Sequence, residues 1–242
     1  MPVKALVLRT AGINCDVETQ FAWEMAGAVA ERVHINRLIE NPKRLAEFQI
    51  LTIPGGFSYG DDIASGKIFA NQIVHHLADA IQEFLAKDRL VLGICNGFQV
   101  LVRCGLLPGR DNGRPTLMPS ATLTNNDSGK FEDRWVHLRT DSALCPFLKK
   151  GEVFDLPVAH GEGKFLPGAS APLAQLQKAG QVALRYVDAK GRTGAGYPAN
   201  PNGSVADIAG LCNTAGNVLG LMPHPEDHII PEQHPGYHRH RS

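Results

Sequence analysis

The sequence lacks a surplus of either charge: 24 Lys and Arg face 24 Asp and Glu, so the formal net charge is zero with the ten His neutral. Nucleic-acid affinity rests on neutralising phosphates, so nucleic acid is not an expected partner. The longest basic run is Lys149-Lys150, which excludes a polybasic membrane patch. No apolar run approaches the roughly 20 residues of a membrane span, so no membrane partner is expected. The stretch Met1 to Arg9 does not read as a signal peptide, because Arg9 ends its apolar run. The five Cys include no Cys-x-x-Cys pair, which argues against a disulfide framework or a structural zinc site. A reducing cytoplasm is the expected home. Internal repeats, low-complexity tracts and long linkers are also missing.

What is present is an ordinary globular composition, 43% apolar and 20% charged. The first half alternates strand and helix signals. Val3 to Leu8, Val33 with Ile35, Ile50 to Ile53 and Leu90 to Ile94 read as strands. Asn14 is placed to cap a helix on which Val17, Phe21, Met25 and Ala28 fall at helical spacing. Phe69, Ile73, Leu77, Ala80 and Phe84 mark a second amphipathic helix. Such alternation implies a parallel sheet covered on both faces. Arg110 to Lys130 reads as polar and irregular. Val136 with Leu138, and Val182, Leu184 and Tyr186, alternate like half-buried strands, and Ile208 to Cys212 and Val218 to Met222 flank a hairpin loop. Antiparallel strands are therefore expected beside the parallel core. Residues 1–242 are expected to form a single domain, with an extended tail over 230–242.

Gly93-Ile94-Cys95-Asn96-Gly97 has the form of a nucleophile elbow with Cys in place of Ser. A nucleophile on a sharp strand-to-helix turn needs small residues two before and two after it, and the helix N-terminus favours negative charge there. The alternative is a buried cysteine beside two turn glycines. Cys15, near a helix start, is the next candidate thiol. Pro223-His224-Pro225-Glu226 can place a carboxylate beside an imidazole, as in a triad, or be a proline-rich surface turn. An acyl-transfer site also needs oxyanion donors. The amide of Asn96 follows the nucleophile, and Gly56 in the loop Pro54-Gly55-Gly56-Phe57-Ser58-Tyr59-Gly60-Asp61 lets a second N–H come close. Gly60 to Ile68 mimics a phosphate loop, but its glycines are one residue too far apart and Ile68 stands where Ser or Thr is needed. Gly194 to Ala199 mimics a dinucleotide fingerprint, but Pro198 does not suit a helix start. No metal site is expected, since the His from 224 onward match no ligand spacing.

The elbow with Gln99, the Pro-Gly-Gly loop and the His-x-Glu pair resemble the class I glutamine amidotransferases. Longer stretches are similar, more narrowly, to the glutaminase subunits of phosphoribosylformylglycinamidine synthase. They are Pro54 to Asp62, Gly93 to Leu101, Ala159 to Phe165, Pro201 to Gly210 and Gly216 to Glu226. After Glu226 the chain reads Asp227-His228, where the family has Arg-Ala.

The resemblance implies a three-layer, flavodoxin-like α/β fold with a mostly parallel central sheet and added antiparallel strands. It also implies Cys95 as nucleophile, His224 as base, Glu226 as its orienting acid, and Gly56 and Asn96 as oxyanion donors. Phe57, Gly60 and Gln99 would shape a glutamine pocket, with His160 or Glu162 on its far side. Glutamine would be cut to glutamate and ammonia. The ammonia would pass to a large synthase subunit for ATP-dependent conversion of formylglycinamide ribonucleotide (FGAR) to formylglycinamidine ribonucleotide (FGAM). The resemblance implies no cofactor on this chain, ATP and magnesium on the synthase partner, and a small third subunit. The competing expectations are a stand-alone cysteine hydrolase of γ-glutamyl compounds and a non-catalytic glutamine-binding regulatory subunit.

Overall fold

The strand run Lys4–Arg9 (β1), Val29–His34 (β2), Ile50–Ile53 (β3) and Leu90–Ile94 (β4) forms the parallel part of one nine-stranded sheet. The structure is a computed structural model that describes residues 2–61, 63–109 and 113–239. Asp62, Arg110 and the tail residues 240–242 lie outside the described residues. The remaining strands are Ala121–Thr124 (β5), Glu132–Thr140 (β6), Val153–His160 (β7), Lys164–Pro167 (β8), Val182–Val187 (β9), Ile208–Cys212 (β10) and Val218–Leu221 (β11). The sheet order is β2-β1-β3-β4-β11-β10-β9-β6-β7, and β5 pairs with β8 in a small antiparallel sheet.

β11 joins β4 in parallel, Leu221 opposite Ile94, and β10, β9, β6 and β7 then follow in antiparallel steps. Those four reversals restore direction, so β7 runs the same way as β11. The carboxyl ends of β1, β3, β4, β11 and β7 therefore share one edge of the sheet, the edge where open α/β sheets place ligands.

Helices Asp16–Met25 (α1), Ile35–Glu40 (α2), Lys67–Gln72 (α3), Ala78–Leu85 (α4), Asn96–Arg103 (α5) and Leu173–Lys178 (α6) complete the fold. α5 is buried from Asn96 to Val102, as a helix directly behind a reactive turn must be. Several expectations change. Cys15, not Asn14, is the cap residue of α1, with no side-chain cap. Val17, Phe21 and Met25 are 54%, 51% and 57% exposed. The face that α1 turns inward is Asp16, Thr19 and Trp23, because Asp16 pairs with Arg9 and Arg32 and the Trp23 indole donates to Thr52 Oγ1 at 2.9 Å. Ile35 begins α2 instead of extending β2, since His34 Nδ1 accepts from Asn36 N–H at 3.2 Å and caps it.

A π-helical turn, Ile73–Leu77, links α3 to α4. Its extra residue shifts the apolar phase, so Ile81 is buried where Ala80 was expected. β9 is buried on both faces, not half-buried, and the stretch read as irregular contains β5. The described tail makes short turns, Pro231–Gln233 and Tyr237–Arg239, instead of an extended run. His228 Nδ1 bonds the Asp155 carbonyl of β7 at 2.9 Å, and the rings of His228 and His234 pack edge-on to Trp135. Among the described residues, no helix is long and apolar enough to cross a membrane.

Candidate active site

Cys95 sits between β4 and α5 at φ 50° and ψ −104°, a conformation non-glycine residues avoid unless the surroundings impose it. Two contacts impose it. Cys95 N–H donates to Leu221 O of β11 at 2.8 Å. Close packing of β3, β4 and α5 fixes the turn: a Cβ on Gly97 would lie 1.9 Å from Ile53 O, and one on Gly93 would lie 2.7 Å from Gly97 O. The two elbow glycines are thus required by packing, as the spacing predicts.

His224 leaves the carboxyl end of β11 in an extended conformation, with its N–H on Pro157 O of β7 at 2.9 Å. The chain then tightens into the turn Pro225–Asp227. Glu226 is therefore brought to His224 by a turn, not by extended alternation, and its Oε1 lies 2.8 Å from Nδ1. Both residues are 3% exposed, and Cys95 is 6% exposed. Burial draws the His224 pKa down. The nearby Cys95 charge and hydrogen bonds to Cys15, Cys95 and Glu226 outweigh it and hold the imidazole well above its ordinary value. That arrangement favours an imidazolium beside the nucleophile, ready to donate a proton.

A cleft of about 660 Å³ opens at this edge, within the range that holds small metabolites. Cys95, His224, Gly56, Phe57, Gln99 and His160 all line it. Gly56 has φ +133°, and a Cβ there would lie 2.7 Å from both Asn14 N and Oδ1, so only glycine fits. Asn96 is the first residue of α5, where the backbone N–H has no partner within the helix. Its side chain ties the two loops together. Oδ1 accepts from Ser58 N–H at 3.3 Å, and Nδ2 donates to Gln99 Oε1 at 2.9 Å. Gln99 Nε2 in turn donates to Glu162 O at 2.7 Å and fixes the wall beyond β7. Phe57 and Phe131 flank the mouth, ring centroids 6.5 Å apart. Gly60 does not belong to this group. It is exposed, and Asp61 lines the cleft in its place.

His160 lines the cleft but is 2% exposed, held from behind. Its ring nitrogens meet Asn126 Oδ1 at 3.1 Å and Asn202 Nδ2 at 3.4 Å, as in a neutral imidazole protonated on Nδ1. Burial, and then the His224 charge, lower its pKa to about 4. An unfolded His takes up its proton near pH 6.5, but the folded one does so only near 4, so stability falls as pH drops through that window. The full effect is roughly 3 kcal/mol. Denaturant midpoints measured between pH 4 and 6.5 are expected to fall with acid, and His160→Gln is expected to flatten that slope.

Cys15 and Glu162, both candidates from the sequence, also line the cleft. Sequence reasoning missed Lys130, Phe131 and Asp227, which line it too, with Asp227 Oδ2 lying 3.8 Å from His224 Nδ1. One set of potential metal donors stands out among the described residues: single donor atoms of Cys15, His224 and Glu226 lie within 4.8 Å of one another. The phosphate-loop mimic is a turn in which Asp61 accepts from Ser65 Oγ and Gly66 N–H. Tyr197 of the dinucleotide mimic lies in a surface loop against Arg134.

Residues 2–242 match the family described as the CobB/CobQ-like glutamine amidotransferase domain. The chain belongs to that family. Within it, the chain is 45% identical over 234 residues to the "Phosphoribosylformylglycinamidine synthase subunit PurQ" of Dehalococcoides mccartyi, covering 96% of this chain and 88% of the relative. It is 45% identical over 247 residues to the subunit of the same name from Treponema denticola, covering 95% and 90%. Among solved structures, a chain of "PurLQS from Thermotoga maritima" matches with a TM-score of 0.73 and 32% identity, covering 96% of this chain and 92% of that one. A glutamine amidotransferase of Thermotoga maritima, 15% identical with a TM-score of 0.54, shares the fold across 96% of this chain and 79% of its own. The class I amidotransferase fold read from the sequence is therefore the fold of this chain.

Proposed function

We propose that this amidotransferase domain, spanning residues 1–242, is the glutaminase subunit of phosphoribosylformylglycinamidine synthase. It hydrolyses glutamine and passes ammonia on for the ATP-dependent conversion of FGAR to FGAM in purine synthesis. The observation that carries this reading is the placement of Cys95, on a strained turn at the end of β4, in one cleft with the His224–Glu226 pair from the adjacent parallel strand. The near full-length similarity to relatives named for that subunit supports the choice of pathway step.

In this reading the Cys95 sulfur attacks the side-chain amide carbon of glutamine. The oxyanion that forms is held by the N–H groups of Gly56 and Asn96. His224, oriented by Glu226, protonates the departing ammonia and leaves a γ-glutamyl thioester. Water then gives its proton to His224 and attacks the thioester, releasing glutamate. Gln99 and Phe57 shape the pocket, and His160 braces its wall from behind. ATP and magnesium act on the synthase partner and not on this chain, and a small third subunit completes the complex, working in the cytoplasm. Free ammonia near neutral pH becomes non-nucleophilic ammonium, so delivery requires a partner docked at the cleft. The half-exposed rings of Phe57 and Phe131 at its mouth suit such docking.

The test is glutamate release by the purified chain, alone and with a synthase subunit supplied with ATP and FGAR. Turnover is expected to be weak alone and to rise with the partner. Equal turnover in both conditions would leave the glutaminase but remove the coupling.

A further inference from the structure

We propose that Cys15, His224 and Glu226 form a binding site for a zinc-class divalent cation whose occupation shuts down the triad. That occupation stops turnover rests on the function proposed above; that the cation binds does not.

The donors come from two parts of the fold, the start of α1 and the turn that follows β11, and are fixed by their backbones. Cys15 N–H donates to Gly55 O at 3.4 Å, and its own carbonyl accepts from Thr19 Oγ1 at 2.6 Å. His224 is tied to Pro157 of β7, and α1 packs against the turn that carries Glu226. Thiol, imidazole and carboxylate are a set that zinc accepts. Their donor atoms lie within 4.8 Å of one another. Zinc bonds of about 2.0 to 2.3 Å put adjacent ligand atoms roughly 3.5 Å apart, so closing on the ion needs small side-chain rotations only.

Two further observations point to a ligand. Glu226 Oε2 is buried without a hydrogen-bond partner, and an unpaired buried carboxylate oxygen is costly. The immediate ionic partners of the imidazole are also both acidic. Glu226 at 2.8 Å and Asp227 at 3.8 Å from Nδ1 face a single imidazole. A divalent ion would take over the place of the imidazolium charge, with the Cys15 thiol proton and one His224 ring proton released to solvent as sulfur and nitrogen coordinate. Three protein donors leave the fourth tetrahedral position to water. With its imidazole and carboxylate coordinated, the triad loses both the group that moves the proton and the group that orients it.

The experiment uses Co²⁺ as a spectroscopic probe and Zn²⁺ for affinity, on the full chain. Cys95→Ser removes the nucleophile's sulfur, so a near-ultraviolet sulfur-to-cobalt band in that variant has to come from another thiol. We expect the band at one cobalt per chain, its loss on adding Cys15→Ser, and Zn²⁺ affinity at least roughly tenfold weaker without Cys15. In the otherwise native chain, Zn²⁺ is expected to inhibit glutamine hydrolysis reversibly by chelator, with an inhibition constant at least roughly tenfold higher in Cys15→Ser. No band in Cys95→Ser, a band that survives Cys15→Ser, or equal inhibition with and without Cys15 overturns the proposal. Circular dichroism of each variant checks the fold. A metal-free native chain that leaves glutamine intact even with its synthase partner would defeat the glutaminase reading instead, while the cobalt band would stand.

Discussion

Cys95→Ala is expected to lower glutamine hydrolysis by roughly 10⁴-fold or more while the protein stays folded. The sulfur is the atom that bonds carbon in both halves of the proposed reaction, and no neighbouring group replaces it. Cys15 is the other thiol lining the cleft, but it sits at the start of α1, outside the elbow whose amide follows the nucleophile. Burial raises the Cys15 pKa despite its hydrogen bond to His224, which keeps that sulfur protonated. His224→Asn is expected to cost a similar factor, and the double variant little more, because groups that act as one unit do not add. Glutamate release by the complex, read beside circular dichroism, checks all three proteins. Substantial activity in Cys95→Ala would move the nucleophile elsewhere.

The largest expected effect on stability comes from a single methyl group. Gly97→Ala places a Cβ 1.9 Å from the carbonyl oxygen of Ile53. Both atoms belong to backbones locked by pairing: Ile53 ends β3 opposite Gly93, and Gly97 lies in the first turn of α5. No flexible side chain can move aside, so the helix has to shift from the sheet. Overpacking of well-packed cores typically costs about 1 to 3 kcal/mol, and a backbone clash beside a strained turn belongs at or beyond the upper end. The melting temperature of Gly97→Ala is expected to fall by at least roughly 10 °C, or the variant to be recovered unfolded. Gly129→Ala is a useful control. Its added Cβ meets nothing within 4 Å, although its φ of +64° carries a modest strain of its own. A native-like melting temperature for Gly97→Ala would contradict the packing account of the elbow.

The elbow was legible because its constraints are local. A run of buried residues, two glycines and a following helix fix one another within a dozen positions, and Leu90 to Arg103 folds as that pattern requires. The β10–β11 hairpin was legible for the same reason. β7 was not, because Pro157 interrupts it and proline argues against a strand. It is tolerated because β7 is an edge strand. The exposed stripe of α1 shows a different limit. Spacing finds a helix face but does not say which face turns inward, and here the ion pairs of Asp16 and the indole of Trp23 decide it.

Within the site, Cys95, His224 and Glu226 were readable as residue types at suitable spacing. Gly60 was misplaced because the loop turns through positive φ at both Tyr59 and Gly60 and brings Asp61 to the cleft. The neighbourhood of Cys15 and His224 depends on three strand ends converging on one edge, which only the sheet order specifies.

The central claim is that Cys95 is the nucleophile of a glutamine site. It is tested most directly by exposing the native chain, with and without its synthase partner, to an electrophilic glutamine analogue, followed by intact mass and peptide mapping. We expect one adduct per chain, on Cys95, blocked by excess glutamine and formed faster with the partner present. No adduct in either condition, or one carried by Cys15, would contradict the account.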